Sequence, residues 1–337
     1  MSINKKIIET ESAVPIENFN IVTYTGDGTP NQFIDVGFTP DFVWIKSRNA
    51  TEYHNLIDSS RTAGCFLNSN INGAEDCNAS HARTTTGGFD TKGNPNGSGT
   101  SYVAYCWRAN GGTTSSNTDG SITSTVQANQ DAGFSIVTWT GDGNVSTVGH
   151  GLSAAPDMII IKRLDGGTGF NWIVGHSSLS FTSNETLTLD GTGAIATWNY
   201  FNATAPTSTS FSLGTGANTG SVNSNGGNYI AYCWHSVSGY SKFGSYTGTG
   251  STGNSVTGLG FQPDWIMIRN ISISGQNWTI YDSVRGDGDV FLQANNSGAE
   301  ATGRDISFDS NGFTVNNTDS NTNGNGNTMI YMAFKIN

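Results

Sequence analysis

Charge is the first thing this chain has little of. Of its 337 residues only 12% are Asp, Glu, Lys or Arg, against about a quarter in an ordinary soluble domain. What charge there is leans acidic, with 26 carboxylates against 15 Lys and Arg and a formal balance of −11. Such a surface repels phosphate, so nucleic acid is not an expected partner. Glutamate occurs seven times, three of them before Asn18, which leaves few candidates for the paired carboxylates of a glycosidase. Long apolar runs are also missing. Nothing approaches the roughly 18 residues of a membrane-crossing helix, so no membrane insertion is expected. The segment Met1–Asn18 has no apolar core of the kind a secretory leader needs.

Helical patterning is scarce as well. No long run combines apolar spacing of one helical turn with good helix formers. There are only four cysteines, with no Cys-x-x-Cys pair and no zinc-ligand spacing. Cys106 and Cys233 each sit between Tyr and Trp and read as buried core thiols. Cys65 and Cys77 would pair in an oxidising compartment, whereas assembly in a reducing cytosol would leave them as thiols. His54, His81, His150, His176 and His235 show no metal-ligand spacing, and neither a nucleophile elbow nor a phosphate loop occurs. No catalytic residue and no cofactor is therefore expected.

Glycine is abundant, with 44 residues, and one strand-like heptapeptide recurs. Tyr229-Ile-Ala-Tyr-Cys-Trp-His235 has a near twin in Tyr102-Val-Ala-Tyr-Cys-Trp-Arg108 and a looser third copy in Met329-Ile-Tyr-Met-Ala-Phe-Lys335. Each is rich in aromatic and β-branched residues and free of Gly and Pro inside, as a β-strand requires. Upstream of each copy lies an opening strand, from Phe19, Phe134 and Phe243. A Pro-Asp corner then leads into a second apolar strand at Pro40-Asp41, Pro156-Asp157 and Pro263-Asp264. Internal repetition on this scale predicts one supersecondary unit used three times.

The expectation is therefore an all-β chain of three tandem antiparallel β-sandwich repeats, jelly-roll or lectin-like, placed in a row. The boundaries read as an N-terminal anchoring arm over 1–18, a first repeat over 19–109, a mobile Gly/Ser/Thr/Asn-rich linker over 110–131, a second repeat over 132–236 and a third over 237–337. The arm alternates Ile with polar residues and would suit strand addition to a partner's sheet edge.

Functional candidates are few. Glu75 and Glu300 match in the repeat and read as turn residues bonding nearby amides. Asp27 and Asp142 lie in Gly-Asp-Gly hairpin turns. Asp287 and Asp289 are weak calcium candidates that lack the remaining ligands of a calcium loop. For a ligand such as a sugar, the aromatic and imidazole side chains outside the shared pattern are Tyr53, His54, Trp198 and Tyr200. Trp172 and Trp278 match each other and read as core.

The stretch Tyr229–His235, continued by Gly239–Gly250, Gly260–Arg269, Trp278–Ser283, Phe308–Phe313 and Ile330–Phe334, resembles a module of marine phage virion proteins of the cyanophage and pelagiphage type. Such modules occur on tail fibres and other virion surfaces and are often described as concanavalin A-like lectin sandwiches. The resemblance implies a non-enzymatic virion structural protein, assembled in the host cytoplasm. Its partners would be other phage virion proteins, reached through the arm, and a host-surface glycan or protein. A homo-oligomer, a trimer among the options, is the expected state. The alternatives are a capsid or tail decoration protein without a ligand and, less favoured, a glycan-degrading enzyme.

Overall fold

The computed structural model describes residues 18–77, 81–215 and 219–336. The expected anchoring arm, Asn18 excepted, lies outside the described residues. The chain is all-β, and among the described residues every strand-to-strand ladder is antiparallel, with one isolated parallel bridge between Ile122 and Val148.

One pairing order occurs three times. In the first lobe the opening strand Phe19–Thr25 pairs with the closing strand Ser101–Trp107, Phe19 opposite Trp107. The closing strand pairs on its other side with Phe42–Ser47, which pairs with Asn55–Asp58. The second lobe repeats this with Phe134–Thr140, Asn228–Trp234, Met158–Arg163 and Ile173–His176. The third uses Ser241–Thr247, Thr328–Phe334, Trp265–Asn270 and Thr279–Asp282. Across each large sheet lies a small one, built on the pairs Gln32–Asp35 with Gly88–Thr91, Ser146–Gly149 with Ser210–Leu213, and Asn254–Thr257 with Gly312–Val315.

The Pro-Asp corners have a common task. The backbone N–H groups of Asp41, Asp157 and Asp264 donate to the carbonyls of Trp107, Trp234 and Phe334. Their carboxylates then collect the N–H two residues beyond, from Ala109 (2.7 Å), Ser236 (2.7 Å) and Ile336 (2.9 Å). Each aspartate thereby turns the chain out of its closing strand without leaving backbone donors unpaired.

Side-chain alternation along the closing strands decides the architecture. Tyr102, Ala104 and Cys106 face the interior of their own sandwich, with Ile34, Val36 and Phe89. Val103, Tyr105 and Trp107 face the other way, into a core shared by all three lobes. Tyr229, Ala231 and Cys233 divide in the same manner from Ile230, Tyr232 and Trp234. So do Met329, Tyr331 and Ala333 from Ile330, Met332 and Phe334. In the shared core Trp107 lies 6.2 Å from Trp234 and 5.7 Å from Trp265, ring centre to ring centre, and Phe42 stacks on Tyr232 at 4.3 Å. A strand buried on both faces reads as an unbroken apolar run, which is how these heptapeptides read. The lobes thus converge on one centre, in place of the expected row of self-contained sandwiches.

The stretch 110–131 also departs from expectation. It carries two strands, Ser115–Asn117 and Ser124–Asn129, which extend the second large sheet beyond Phe134–Thr140. Val126 enters the second sandwich core, and buried Gln127 bonds back to Ser59 and Ser60 of the first lobe. Those two anchors, with β-branched neighbours, outweigh the linker-like composition.

Candidate functional site

Functional geometry concentrates at the seams between lobes, where one set of positions recurs around the ring. Residue 172, 278 or 54 supplies a ring N–H. Trp172 Nε1 donates to the carbonyls of Asn68 (2.9 Å) and Ile71 in the first lobe, and Trp278 Nε1 to that of Thr188 (2.9 Å) in the second. His54 holds the matching place and reaches the third lobe, with Nε2 at 3.0 Å from the Gln293 carbonyl. Its Nδ1 accepts from Trp44 Nε1 at 2.9 Å. An indole can only donate, so the ring is the neutral Nε2–H tautomer. Burial accordingly pulls His54 down to about 3, helped by nearby Lys46.

A second position pairs tyrosine with aspartate. Tyr232 OH donates to Asp58 Oδ2 at 2.8 Å, and Tyr105 OH to Asp282 Oδ2 at 3.0 Å. Each carboxylate is also gripped by the arginine three residues on, Arg61 at 2.7 Å and Arg285 at 2.5 Å. In the third pairing Met332 replaces the tyrosine, and the aspartate's place is taken by His176, whose Nε2 lies 3.2 Å from the Tyr331 carbonyl. Its Nδ1 accepts from the Ser178 N–H at 3.0 Å, and burial pulls it down to about 4.

A third position buries a cation. Lys46 Nζ donates to the carbonyls of Ser47 and Ala50, and Lys162 Nζ to those of Phe170 and, at 3.5 Å, Asn72 across the seam. The guanidinium of Arg269 donates to the Gln276 carbonyl and to Gly193 of the second lobe. Burial lowers both lysines to about 8 and Arg269 to about 10.

A matched backbone bond recurs at the rim of each seam. Glu75, Ile195 and Glu300 donate their N–H to the carbonyls of Leu164, Ile271 and Arg48 respectively. Glu75 and Glu300, expected as simple turn residues, are ion-pair residues. Glu75 Oε2 lies 3.2 Å from Arg61 Nη1. Glu300 is clamped between Arg48 (2.8 Å, with a second bond at 3.0 Å) and Arg285 (3.5 Å). At the seam between the first and second lobes lies a polar pocket of about 410 Å³, bordered by Arg61, Glu75, Leu164, Asn228 and hydroxyl-bearing residues of both lobes.

The sequence-derived ligand candidates separate. Tyr53 and Trp198 are about half exposed, at 50% and 48%. Tyr200 and His54 are buried, Tyr200 in the second sandwich core and His54 in the seam, so neither is available to an outside ligand. Asp287 and Asp289 follow the short helix Ser283–Gly286, and no third His, Cys, Asp or Glu joins them within ligating reach among the described residues. Any calcium there would have to draw its remaining ligands from carbonyl or amide oxygens. Cys65 and Cys77 are joined as a disulfide, while Cys106 and Cys233 are free and buried. The thiols of 65 and 77, close to Glu75, are thus not free to ligate a metal.

A family model described as a domain of unknown function, DUF7483, matches residues 14–337. The chain belongs to this family. Its match runs through all three lobes as one unit. Neither a curated protein nor a solved structure matches the chain.

Proposed function

We propose that this member of the family is a non-enzymatic structural protein of a phage virion, a compact body that presents its outer loops to a host-surface glycan or protein. The observation that carries this reading is where the unusual ionisable groups sit. Burial disfavours the charged form of Lys46, His54, Lys162, His176 and Arg269, and all are committed to carbonyl groups in or beside the seams. In an enzyme such groups gather around a substrate cleft. Here all but Lys46, which bonds within its own lobe, brace one lobe against another, which suits a load-resisting display body. The sequence resemblance to marine phage surface modules supports the same reading. Tyr53 and Trp198 are exposed aromatic rings on which a sugar would stack, and the arm Met1–Asn18 is the segment that would reach the rest of the particle.

Virions produced with a chain lacking residues 1–18 test the anchoring role. Loss of incorporation with folded lobes is expected, and normal incorporation overturns it. Copy number per particle, read from electron micrographs, separates a few adhesive copies at a tail from a shell decoration without ligand. Tyr53→Ala and Trp198→Ala should each lower adsorption to host cells without lowering incorporation. Glycan hydrolysis by the purified protein would overturn the non-enzymatic reading.

A further inference from the structure

The three seams carry matched positions but different charges. The match is fixed by backbone bonds: Arg48, Leu164 and Ile271 donate to Ser101, Asn228 and Thr328, and they accept from Glu300, Glu75 and Ile195. Between the third and first lobes Arg48 and Arg285 flank Glu300, with Asp282 behind Arg285, and the four charges cancel. Between the second and third lobes the same places hold Ile271, Leu179, Ile195 and the buried imidazole of His176, so apart from the buried cation Arg269, which has counterparts in Lys46 and Lys162 at the other seams, these places are uncharged. Between the first and second lobes Arg61 serves both Asp58 and Glu75, and Leu164 stands where the balancing arginine would be. Setting aside the buried lysine that both seams carry, Lys46 there and Lys162 here, this seam has one positive charge fewer than the one that holds Arg48. Glu75 Oε1 takes no hydrogen bond among the described residues, and its side chain is 26% exposed at the pocket of about 410 Å³.

We propose that this pocket binds a cationic group, an ammonium or guanidinium, in the place that the Arg48 guanidinium fills at the matching seam. The carboxylate of Glu75 is the primary contact, as Glu300 is for Arg48, through charge-assisted hydrogen bonds. The remaining wall suits a hydroxylated or amide-bearing body. Ser60 and Thr62 on one lobe, and Thr123, Thr125, Thr138 and Thr140 on the other, supply six hydroxyls that both donate and accept. The cation is carried by a small amine-bearing polyol or by a basic side chain of a partner protein. The overall charge of −11 favours the approach of either. This site is separate from the display role. A protein that enters virions and binds no cation keeps the proposed function and loses this one.

The test is titration calorimetry on the full chain with agmatine, glucosamine, Nα-acetylarginine amide and, as the neutral control, glucose. Binding of at least one cation with none of glucose is expected. The tighter of glucosamine and Nα-acetylarginine amide shows whether the source is a small molecule or a partner side chain. Glu75→Gln should weaken binding at least tenfold. Leu164→Arg should abolish it by rebuilding the internal clamp, while melting at or above the wild-type temperature. Asp119→Asn, an exposed acid elsewhere, should change nothing. Equal binding of glucose, no binding of any cation at millimolar concentration, or undiminished binding by a folded Leu164→Arg protein each overturns the proposal. Should both seam variants fail to fold, the wild-type contrast between cations and glucose decides.

Discussion

His54, His150 and His176 are held in one protonation state by their partners. In each, Nδ1 faces a donor that cannot accept: the indole of Trp44, the N–H of Leu152 and the N–H of Ser178. Each Nε2 lies against a backbone carbonyl. Burial, which disfavours the charged ring, pulls the folded-state values of His54 and His176 down to about 3 and about 4, and a proton added at Nδ1 would set two donors against each other. Because these lie below the unfolded value, the unfolded chain binds more protons between them, and stability is lost as pH falls from about 6.5 toward 4. Each histidine contributes a slope of about 1.4 kcal/mol per pH unit in that window. Asp190 works in the opposite direction. Burial raises it to about 6, so it gains a proton in the folded state first and offsets one histidine between pH 6 and its unfolded value. Urea midpoints measured from pH 7 to pH 4.5 should decline, and His176→Gln should flatten the decline. A midpoint independent of pH in the wild type would contradict this. The tryptophans of the same positions invite a simpler measurement. Trp278→Phe deletes the bond to the Thr188 carbonyl and should cost about 1–3 kcal/mol in chemical denaturation, since a buried acceptor is left alone.

One kind of element contributes to every seam: the stretch between the fourth strand and the small sheet. In the first lobe it runs from Cys65 to Cys77, and it offers the carbonyls of Asn68, Ile71 and Asn72 and the N–H of Glu75 to the second lobe. Here alone the loop is closed by a disulfide, spanning 12 residues. A cross-link over such a loop removes freedom mainly from the unfolded chain and is worth about 3 kcal/mol. Cys65→Ser with Cys77→Ser, or reduction with dithiothreitol, should lower stability by about 2–3 kcal/mol, and chymotrypsin should then cut first at Phe66 or Leu67 within this loop. An unchanged melting temperature and cleavage map after reduction would rule out this brace. This element was only half legible in the sequence. The match of Glu75 with Glu300 was visible, but nothing local says that their partners stand in another lobe. The imidazole of His54 was hidden by its identity. Its place after Tyr53 aligns with Trp172 after Asn171 and Trp278 after Asn277, and a comparison by position instead of residue type would have found it. The strand Ser124–Asn129 was masked by a composition that otherwise describes linkers, with Val126 and Gln127 as the faint signal.

At the scale of the molecule, the all-β class was legible because strand and turn residues alternate so regularly, and the closing strands stood out for their aromatic content. Their second buried face was also written in the sequence, as apolar residues at both parities: Val103, Tyr105 and Trp107 against Tyr102, Ala104 and Cys106. What faces the odd set is a property of the assembled chain, which no local pattern specifies. The consequence is thermodynamic. A lobe alone, residues 19–109, would leave Phe42, Trp44, Tyr105 and Trp107 in water, and these are at most 2% exposed in the intact protein. Fully burying each large side chain contributes about 1.5–3 kcal/mol, comparable in sum to the whole stability of a domain of that size, about 5–15 kcal/mol. The isolated first lobe should therefore be unfolded or self-associating, and the full chain should melt as one unit. Calorimetry checks this: a single transition whose calorimetric and van't Hoff enthalpies agree is expected. Trp107→Ala, at the meeting point of the three lobes, should lower that one transition as a whole, by about 3–5 kcal/mol. If the scan instead resolves separate transitions and Trp107→Ala shifts only one of them, the shared core does not couple the lobes.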